Sequence, residues 1–142
     1  MTTGDSEKRE SNKQTLHRLL ASISALDADG LRDQLHDSVV FTLPYDLTIP
    51  DCDRDGVVQL LSKMFVIFKK FELTITEVYD NLDPDLLIAR YKGDCVGRVK
   101  PVLYQNEYIG VFKFVDGKVA NWREYANPEI AHAAFAEFAV EE

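Results

Sequence analysis

Three patterns in the sequence predict an α+β fold. Apolar residues at helical spacing mark the first third of the chain, alternating segments fill most of the rest, and a short helical pattern closes it. Helices followed by a run of long strands are typical of helices packed on one face of a bent antiparallel sheet. A chain of 142 residues suits one domain of this kind.

The helices are placed by their apolar spacing and their capping residues. Apolar spacing predicts a helix over 12–26, and Asp29 caps a short second helix over 29–35. One apolar stripe predicts a long helix over 55–70, and Asn127 followed by Pro128 starts a closing helix that runs to Val140. Residues 1–11 are polar and predict a disordered tail, so the single domain spans 12–142.

The strands are placed by their alternation and by the turns between them. Residues 39–43 form a first strand that ends at Pro44. Asp116 and Gly117 predict a tight hairpin between the last two strands. The other four strands are predicted over 72–80, 86–97, 101–115 and 118–126.

Charge and composition exclude several classes of function. A net charge of −8 and scattered basic residues argue against a nucleic-acid partner. No apolar stretch is long enough to span a membrane and no secretory signal is present, so we expect a cytoplasmic protein without a membrane partner. Two distant cysteines and three scattered histidines predict free thiols and no metal site, and no nucleotide-cofactor motif occurs, so no cofactor is expected.

Strand parity selects Glu124 as the main candidate for chemistry. Tyr104, Asn106, Tyr108 and Phe112 share one face of a strand and should point toward the helices. Trp122, which we expect to be buried, places Glu124 on its own side of the next strand. Burial raises the pKa of a carboxyl group, which suits acid or base catalysis near neutral pH. The alternative is a solvated rim position or an ion pair with Arg90, Lys92 or Arg98.

Further candidates complete the predicted pocket. Asp94 alternates with Lys92 on one face of a strand and is a second catalytic candidate, although edge strands often carry such charges. Tyr45 follows a strand end and can offer a hydroxyl group from an apolar surface. The predicted ligand-binding residues are Tyr45, Asn106, Tyr108, Trp122, Phe41, Phe112 and Met64.

Five segments together resemble one protein family. They are 41–45, 53–56, 104–108, 115–119 and 122–128, the last reading Trp-Arg-Glu-Tyr-Ala-Asn-Pro. In order and spacing they are similar to the SnoaL-like group of the nuclear-transport-factor-two-like superfamily, which includes ketosteroid isomerases. The branch that looks closest contains the phenazine-biosynthesis A/B-type proteins.

This resemblance implies a cone of curved sheet with three or four helices around an internal pocket, in a homodimer packed through the sheet. An acid at the position of Glu124 would handle protons inside the pocket. Phenazine-type proteins add a histidine on the long helix, which residues 56–71 lack. Limonene-type epoxide hydrolases use Arg-x-Asp on the preceding strand, to which Lys92-Gly93-Asp94 is an approximate match.

Three functions follow as hypotheses. The first is an enzyme that uses carboxylate acid/base catalysis, as an isomerase, cyclase or epoxide-hydrolase-like protein, on an apolar metabolite for which a cyclic skeleton is one option. The second is a non-catalytic protein that binds a hydrophobic small molecule. The third is a dimeric interaction module whose interior is filled by its own aromatic residues.

Overall fold

A computed structural model describes residues 3–139 and contains four helices and five strands. Met1, Thr2 and residues 140–142 lie outside the described residues. The predicted α+β class is confirmed. In chain order the elements are α1 (Thr3–Ser24), α2 (Ala28–Asp33), β1 (Leu35–Thr42), α3 (Arg54–Ile67), β2 (Phe68–Asp80), β3 (Leu86–Gly97), β4 (Leu103–Val115), β5 (Lys118–Ala126) and α4 (Pro128–Ala139).

The five strands form one curved sheet in the order β1-β5-β4-β3-β2. Strands β2 to β5 are antiparallel, but β1 pairs in parallel with β5, with Phe41 opposite Trp122. The sheet is therefore mixed rather than wholly antiparallel as predicted. A parallel pair needs a long connection, and here most of the chain lies between the two strands.

Alternation along β4 separates two faces of the sheet. Residues Tyr104, Asn106, Tyr108, Gly110, Phe112 and Phe114 are buried, whereas the residues that alternate with them are exposed or half-buried. We call the buried side, which faces the helices, the inner face and the other side the outer face. The predicted orientation of this strand is confirmed.

The hairpin and the helix caps follow their local sequences, except that α2 is capped by Asp27, which accepts from the backbone nitrogen of Gly30, and not by Asp29 as predicted. Asp116 and Gly117 both have positive φ, 51° and 75°, which glycine adopts without steric cost and which a two-residue hairpin requires. Asp53 accepts a hydrogen bond from the backbone nitrogen of Gly56 at the start of α3. Asn127 caps α4 in the same way, through the backbone nitrogen of Glu129 at 2.9 Å.

Helix α3 ends earlier than its apolar stripe predicts. The stripe continues to Phe68, yet β2 begins at that residue. The guanidinium group of Arg98 donates to the carbonyl oxygens of Phe65, Val66 and Phe68. Carbonyl groups that a longer helix would pair internally are thus satisfied by Arg98, which allows the chain to turn directly into the sheet.

The prediction of a disordered tail over 1–11 is wrong for the residues that the structure describes. Helix α1 begins at Thr3, and the side chain of Arg9 is only 7% exposed. Its Nη2 donates to the carbonyl oxygens of Asn81 and Leu82 at 2.8 and 3.2 Å. These bonds to the turn between β2 and β3 are tertiary, so composition alone could not reveal them.

Between Thr3 and Ala139, no helix combines the length and the apolar composition needed to cross a membrane.

Candidate functional site

The inner face carries a group of polar side chains surrounded by aromatic rings. Strand β3 contributes Tyr91, strand β4 contributes Tyr104, Asn106 and Tyr108, and strand β5 contributes Glu124. The four residues other than Glu124 are each at most 7% exposed. Polar groups in such surroundings are costly unless they are hydrogen-bonded, so their partners define what the site can do.

Tyr91 and Glu124 form a hydrogen-bonded pair across the sheet. The Tyr91 hydroxyl donates to Oε1 of Glu124, although β4 lies between their strands. Gly110 of β4 stands directly opposite Glu124 in the ladder. A Cβ atom at Gly110 would lie 3.0 Å from the Tyr91 hydroxyl oxygen and 2.4 Å from Cε2 of Phe112. Glycine therefore leaves the space through which Tyr91 reaches Glu124.

The carboxyl group of Glu124 has the protonation behaviour expected of an acid/base catalyst. Burial raises its pKa from 4.5 to about 7, against a smaller lowering effect of the Tyr91 hydrogen bond. The side chain is partly rather than fully buried, so it keeps some accessible surface. Burial and the nearby Glu124 charge hold the pKa of Tyr91 well above its ordinary value, which keeps Tyr91 a neutral donor.

Trp122 forms the wall beside this pair. Its ring stacks on Phe112 at a centroid distance of 5.7 Å and meets the edge of Phe41 at 4.6 Å. The indole nitrogen is buried and has no hydrogen-bond partner among the described residues. It lies close enough to Tyr91 to oppose the rise in the pKa of that phenol. The indole N–H thus lies near the Tyr91 hydroxyl group, outside the distance or angle of a hydrogen bond.

A second polar cluster lies further along β4. The Tyr108 hydroxyl donates to the Tyr104 hydroxyl oxygen at 3.2 Å, and Nδ2 of Asn106 donates to the same oxygen at 3.0 Å. The Tyr91 ring stacks on Tyr108 with a centroid distance of 5.2 Å and an interplanar angle of 14°. Tyr91 therefore contacts both Tyr108 of the second cluster and Glu124.

Helix α4 covers this end of the inner face. Phe135 packs against Tyr104 at 5.5 Å and Phe68 at 6.1 Å, and Phe138 packs against Phe68 at 5.3 Å. Asn106 fixes the start of the helix, since it donates to the carbonyl oxygen of Asn127 at 3.1 Å and accepts from its nitrogen at 3.3 Å. Helix α4 therefore covers this end of the inner face with apolar rings, and the hydrogen bonds of Asn106 hold Asn127, at the start of the helix, in place.

Most of the predicted site residues meet on the inner face. Trp122, Phe41 and Phe112 surround the Glu124 end, and Asn106 and Tyr108 form the second cluster. Met64 is partly buried on α3 and packs against the hydrophobic core. The pairing of Glu124 with Arg90, Lys92 or Arg98 does not occur: Arg90 binds Glu77 at 2.8 Å, Lys92 lies 3.9 Å from Glu107, and Arg98 caps α3.

The structure does not bring Asp94 to the site. Asp94 lies on the outer face, where it binds Lys70 at 2.8 Å and accepts from Gln105 at 3.2 Å. The hydrogen bonds from Lys70 and Gln105 lower its pKa. The prediction that Asp94 shares a pocket with Glu124 is therefore wrong, because side chains one position out of phase on a strand point to opposite faces.

Tyr45 is also separated from Glu124. Its side chain is 62% exposed, and its ring packs on the edge of Tyr125 at 5.3 Å. Tyr125 is the neighbour of Glu124 on β5 and therefore points to the opposite face. The predicted role of Tyr45 in orienting a ligand beside Glu124 has no support from this position.

Tyr91 is the site residue that was not predicted, and Tyr104, although parity placed it on the inward face, was not among the predicted ligand-binding residues. Parity also places Tyr91, which alternates with Ala89, Gly93 and Cys95 and is out of phase with Asp94. The charged residues of β3, from which Asp94 was predicted, lie on the opposite face of that strand. The contact between Tyr91 and Glu124 depends on the strand order, which the sequence does not display.

Two open grooves lie on the surface, and Glu124 lines neither. One, of about 440 Å³, is lined by outer-face residues that include Lys92, Asp94 and Glu107, by Asn106 of the second polar cluster, and by Asn127 and Ile130 at the start of α4. The other, of about 340 Å³, lies where β1 and α3 begin and includes Arg32, Arg54 and Lys118. Within residues 3–139 we find no group of three or more His, Cys, Asp or Glu side chains that could hold a metal ion.

The comparisons with known proteins agree with the fold. The model of the SnoaL-like domain matches residues 16–122. An uncharacterised PhzA/B-like protein of Pseudomonas aeruginosa is 28% identical over 118 residues, which cover 82% of this chain and 84% of that protein.

Solved structures extend the comparison to proteins named as enzymes. A proposed isomerase from Bacillus subtilis has a TM-score of 0.82 at 22% identity and covers 91% of this chain and 95% of its own. An epoxide hydrolase of Mycobacterium tuberculosis has a TM-score of 0.72 at 17% identity and covers 94% and 98%. At these identities the likeness concerns the fold, which is the α+β cone.

Proposed function

This chain belongs to the SnoaL-like family, and we propose that it is a small-molecule enzyme in which Glu124 transfers protons to and from an apolar substrate. The observation that carries this proposal is the Glu124–Tyr91 pair on an otherwise aromatic inner face. A carboxyl group with a pKa of about 7 divides its population between acid and base at neutral pH.

The reaction that fits this site is proton abstraction beside a carbonyl group. The Glu124 carboxylate takes the proton from the carbon next to the carbonyl group. The electron pair of the broken C–H bond forms a carbon–carbon double bond, and the π pair of the carbonyl group moves onto its oxygen. Where the substrate carries a neighbouring carbon–carbon double bond, return of the proton from Glu124 to the far carbon of the dienolate gives isomerisation. Where it carries a second carbonyl group, attack of the enolate carbon on that group closes a ring, and the Glu124 carboxylic acid returns its proton to the alkoxide oxygen that forms. Tyr91 holds the carboxylate in position and stays protonated throughout.

The position of Asp94 favours these reactions over epoxide hydrolysis. The resemblance to epoxide hydrolases depended on Lys92-Gly93-Asp94, and the Asp94 carboxylate is held on the outer face by Lys70. A second carboxylate is therefore missing beside Glu124 among the described residues.

The test uses 1-tetralone, a cyclic aromatic ketone with hydrogen atoms next to its carbonyl group. The wild-type protein in D₂O is expected to exchange these hydrogens for deuterium, as followed by NMR. The Glu124→Gln variant should lose at least about 100-fold of that rate, because it cannot accept a proton. Glu107→Gln, on the outer face, is the matched control and should exchange at the wild-type rate.

A non-catalytic binding protein is the second candidate, because aromatic rings occupy so much of the inner face. In that case 1-tetralone quenches the fluorescence of Trp122, the only tryptophan, without any exchange. The quenching would also survive Glu124→Gln. That combination would replace the enzyme proposal with the binding one.

We also propose that the protein forms a homodimer through the outer face. Leu103 and Val115 are 64% and 45% exposed there, at the two ends of β4, and the half-buried Ile109 and Val111 lie between them. A dimer would cover these four apolar side chains, which share the outer face of β4 with Gln105, Glu107 and Lys113. Light scattering should give twice the chain mass, and Val111→Lys should halve it. A monomeric wild-type protein would end this proposal.

A further inference from the structure

Two valine side chains are exposed at one end of the molecule. Val66, in the last turn of α3, is 73% exposed, and Val99, in the loop between β3 and β4, is 88% exposed. The backbone nitrogen of Arg98 donates to the carbonyl oxygen of Ile67 at 2.8 Å, so the loop and the end of α3 lie side by side. Pro101, in the same loop, is also exposed. Aliphatic side chains from two segments are therefore presented to solvent at one place.

Four basic residues surround these aliphatic side chains. Lys63 lies one turn before Val66 on α3 and is exposed like it, and Lys69 is exposed at the start of β2. Arg98 and Lys100 belong to the loop, one on each side of its exposed valine. The same end of the molecule thus combines aliphatic groups with positive charge.

None of these four cations forms an ion pair with a carboxylate among the described residues. Arg98 and Lys100 donate instead to backbone carbonyl oxygens near the ends of α3 and α4. Glu72 and Asp94, the acids of the neighbouring strands, contact Lys70. The chain as a whole has a net charge of −8, so these cations give the molecule one end whose charge is opposite to its net charge.

We propose that this basic end, defined by Lys63, Val66, Lys69 and residues 98–101, docks on a membrane surface that contains anionic phospholipids. The phosphate groups of such lipids attract the four cations, and the two valine side chains enter the boundary between headgroups and acyl chains. The expectation of no membrane partner came from the lack of a spanning segment and of a secretory signal, and docking at a surface needs neither. Docking of this kind does not depend on the chemistry of Glu124.

The composition of the basic end favours lipid over other anionic partners. Lysine is depleted in interfaces between proteins, whereas an anionic membrane surface attracts lysine and arginine alike. Nucleic acid would engage the cations through its phosphates but would leave Val66 and Val99 without an apolar partner. Long basic side chains extend from an apolar surface toward headgroups, so both kinds of contact are compatible at one interface.

The test is cosedimentation with vesicles of phosphatidylglycerol and phosphatidylcholine in equal parts, at about 20 mM salt, where charges are weakly screened. Wild-type protein should bind these vesicles, stay in solution with pure phosphatidylcholine, and dissociate at about 0.5 M salt. The double variant Lys63→Glu, Lys69→Glu should bind at least about 20-fold more weakly, since each lysine contributes about fivefold. Val99→Asp should also weaken binding at least about fivefold, because a second carboxylate-bearing loop position repels the headgroups. The replaced side chains are exposed, so these variants should fold.

The matched control is Lys8→Glu, Lys113→Glu, which changes the net charge equally at the other end of β3. Lys8 pairs with Asp85 at 3.6 Å, and Lys113 stands opposite Leu86 in the sheet. An equal loss of binding in the control and in Lys63→Glu, Lys69→Glu would show a response to net charge alone and would overturn the proposal. Wild-type protein that binds both kinds of vesicle equally, or neither, overturns it as well. Binding to poly-L-glutamate without binding to vesicles would assign the basic end to an acidic polypeptide and likewise overturn membrane docking.

Discussion

The hydroxyl group of Tyr91 on β3 donates a hydrogen bond to the carboxyl group of Glu124 on β5, across a strand that carries glycine at the crossing point. This arrangement reconciles two opposing requirements. The carboxyl group must be removed from water for its pKa to rise, and it must keep a partner for its charged form to be tolerated. Tyr91 provides that partner without carrying a charge of its own.

The rate of proton exchange should follow the ionisation of Glu124. With a pKa of about 7, the basic carboxylate becomes the major form above neutral pH, so the rate with 1-tetralone should rise through pH 7 and then level off. Tyr91→Phe removes a hydrogen bond that lowers this pKa, so the midpoint should move to higher pH. Tyr79→Phe should leave the midpoint of the pH profile unchanged. A midpoint that moves to lower pH in Tyr91→Phe would contradict this account.

Gly110→Ala should break the same contact without removing the hydroxyl group. The new Cβ would lie 2.4 Å from Cε2 of Phe112 and 3.0 Å from the Tyr91 oxygen, so both rings must shift. We expect a loss of about 1–3 kcal/mol in the free energy of unfolding, as for other overpacked interiors, and a midpoint shifted upward as in Tyr91→Phe. Urea unfolding and the pH profile measure the two effects. Val111→Ala, the neighbour on the outer face, should leave the midpoint unchanged.

Glu124 should also make the stability of the fold depend on pH. Its pKa is about 7 in the folded state against 4.5 ordinarily, so the folded protein binds this proton more tightly. The resulting stability is fully present below pH 4.5 and is lost as pH rises through 7. Because the side chain is partly exposed, we expect a loss on the order of 2 kcal/mol.

The measurement is urea unfolding of wild type and Glu124→Gln at several values between pH 5 and pH 8. The difference in the free energy of unfolding between the two proteins removes the contributions of the other titrating groups, which both proteins share. Relative to wild type, Glu124→Gln should gain stability as pH rises from 5 to 8. A difference that stays constant over this interval would mean that Glu124 ionises as an ordinary exposed carboxyl group.

The sequence predicted those parts of the molecule that depend on local pattern. Alternation oriented β4 correctly, and the burial of Trp122 placed Glu124 on the inner face. Asn127 and the Asp116–Gly117 hairpin were predicted because their geometry is decided by adjacent residues. None of these predictions requires knowing which strands are neighbours in the sheet.

Most of the errors concern contacts between distant segments. Asp94 was assigned to the site by its charge, whereas its phase on β3 and the approach of Lys70 from β2 hold it outside. Arg9 lies in a polar segment typical of a disordered tail, but its hydrogen bonds to the carbonyl groups of Asn81 and Leu82 attach it to the turn between β2 and β3. The parallel pairing of β1 with β5 is likewise a contact between distant segments that the local sequence pattern did not predict.

Asn106 provides a prediction about the cover of the site. Asn106→Ala removes two hydrogen bonds to Asn127 and leaves the Tyr104 oxygen with one donor fewer. We expect a loss of about 2 kcal/mol in the free energy of unfolding, since the part-buried backbone groups of Asn127 lose their partner. Hydrogen exchange of the α4 backbone should accelerate more than that of β3, because the joint at the start of the helix is lost. Gln105→Ala, whose amide binds Asp94 on the outer face, is the control and should leave α4 exchange unchanged. Equal acceleration of α4 and β3 in Asn106→Ala would show general destabilisation and would remove the basis for treating Asn106 as a joint.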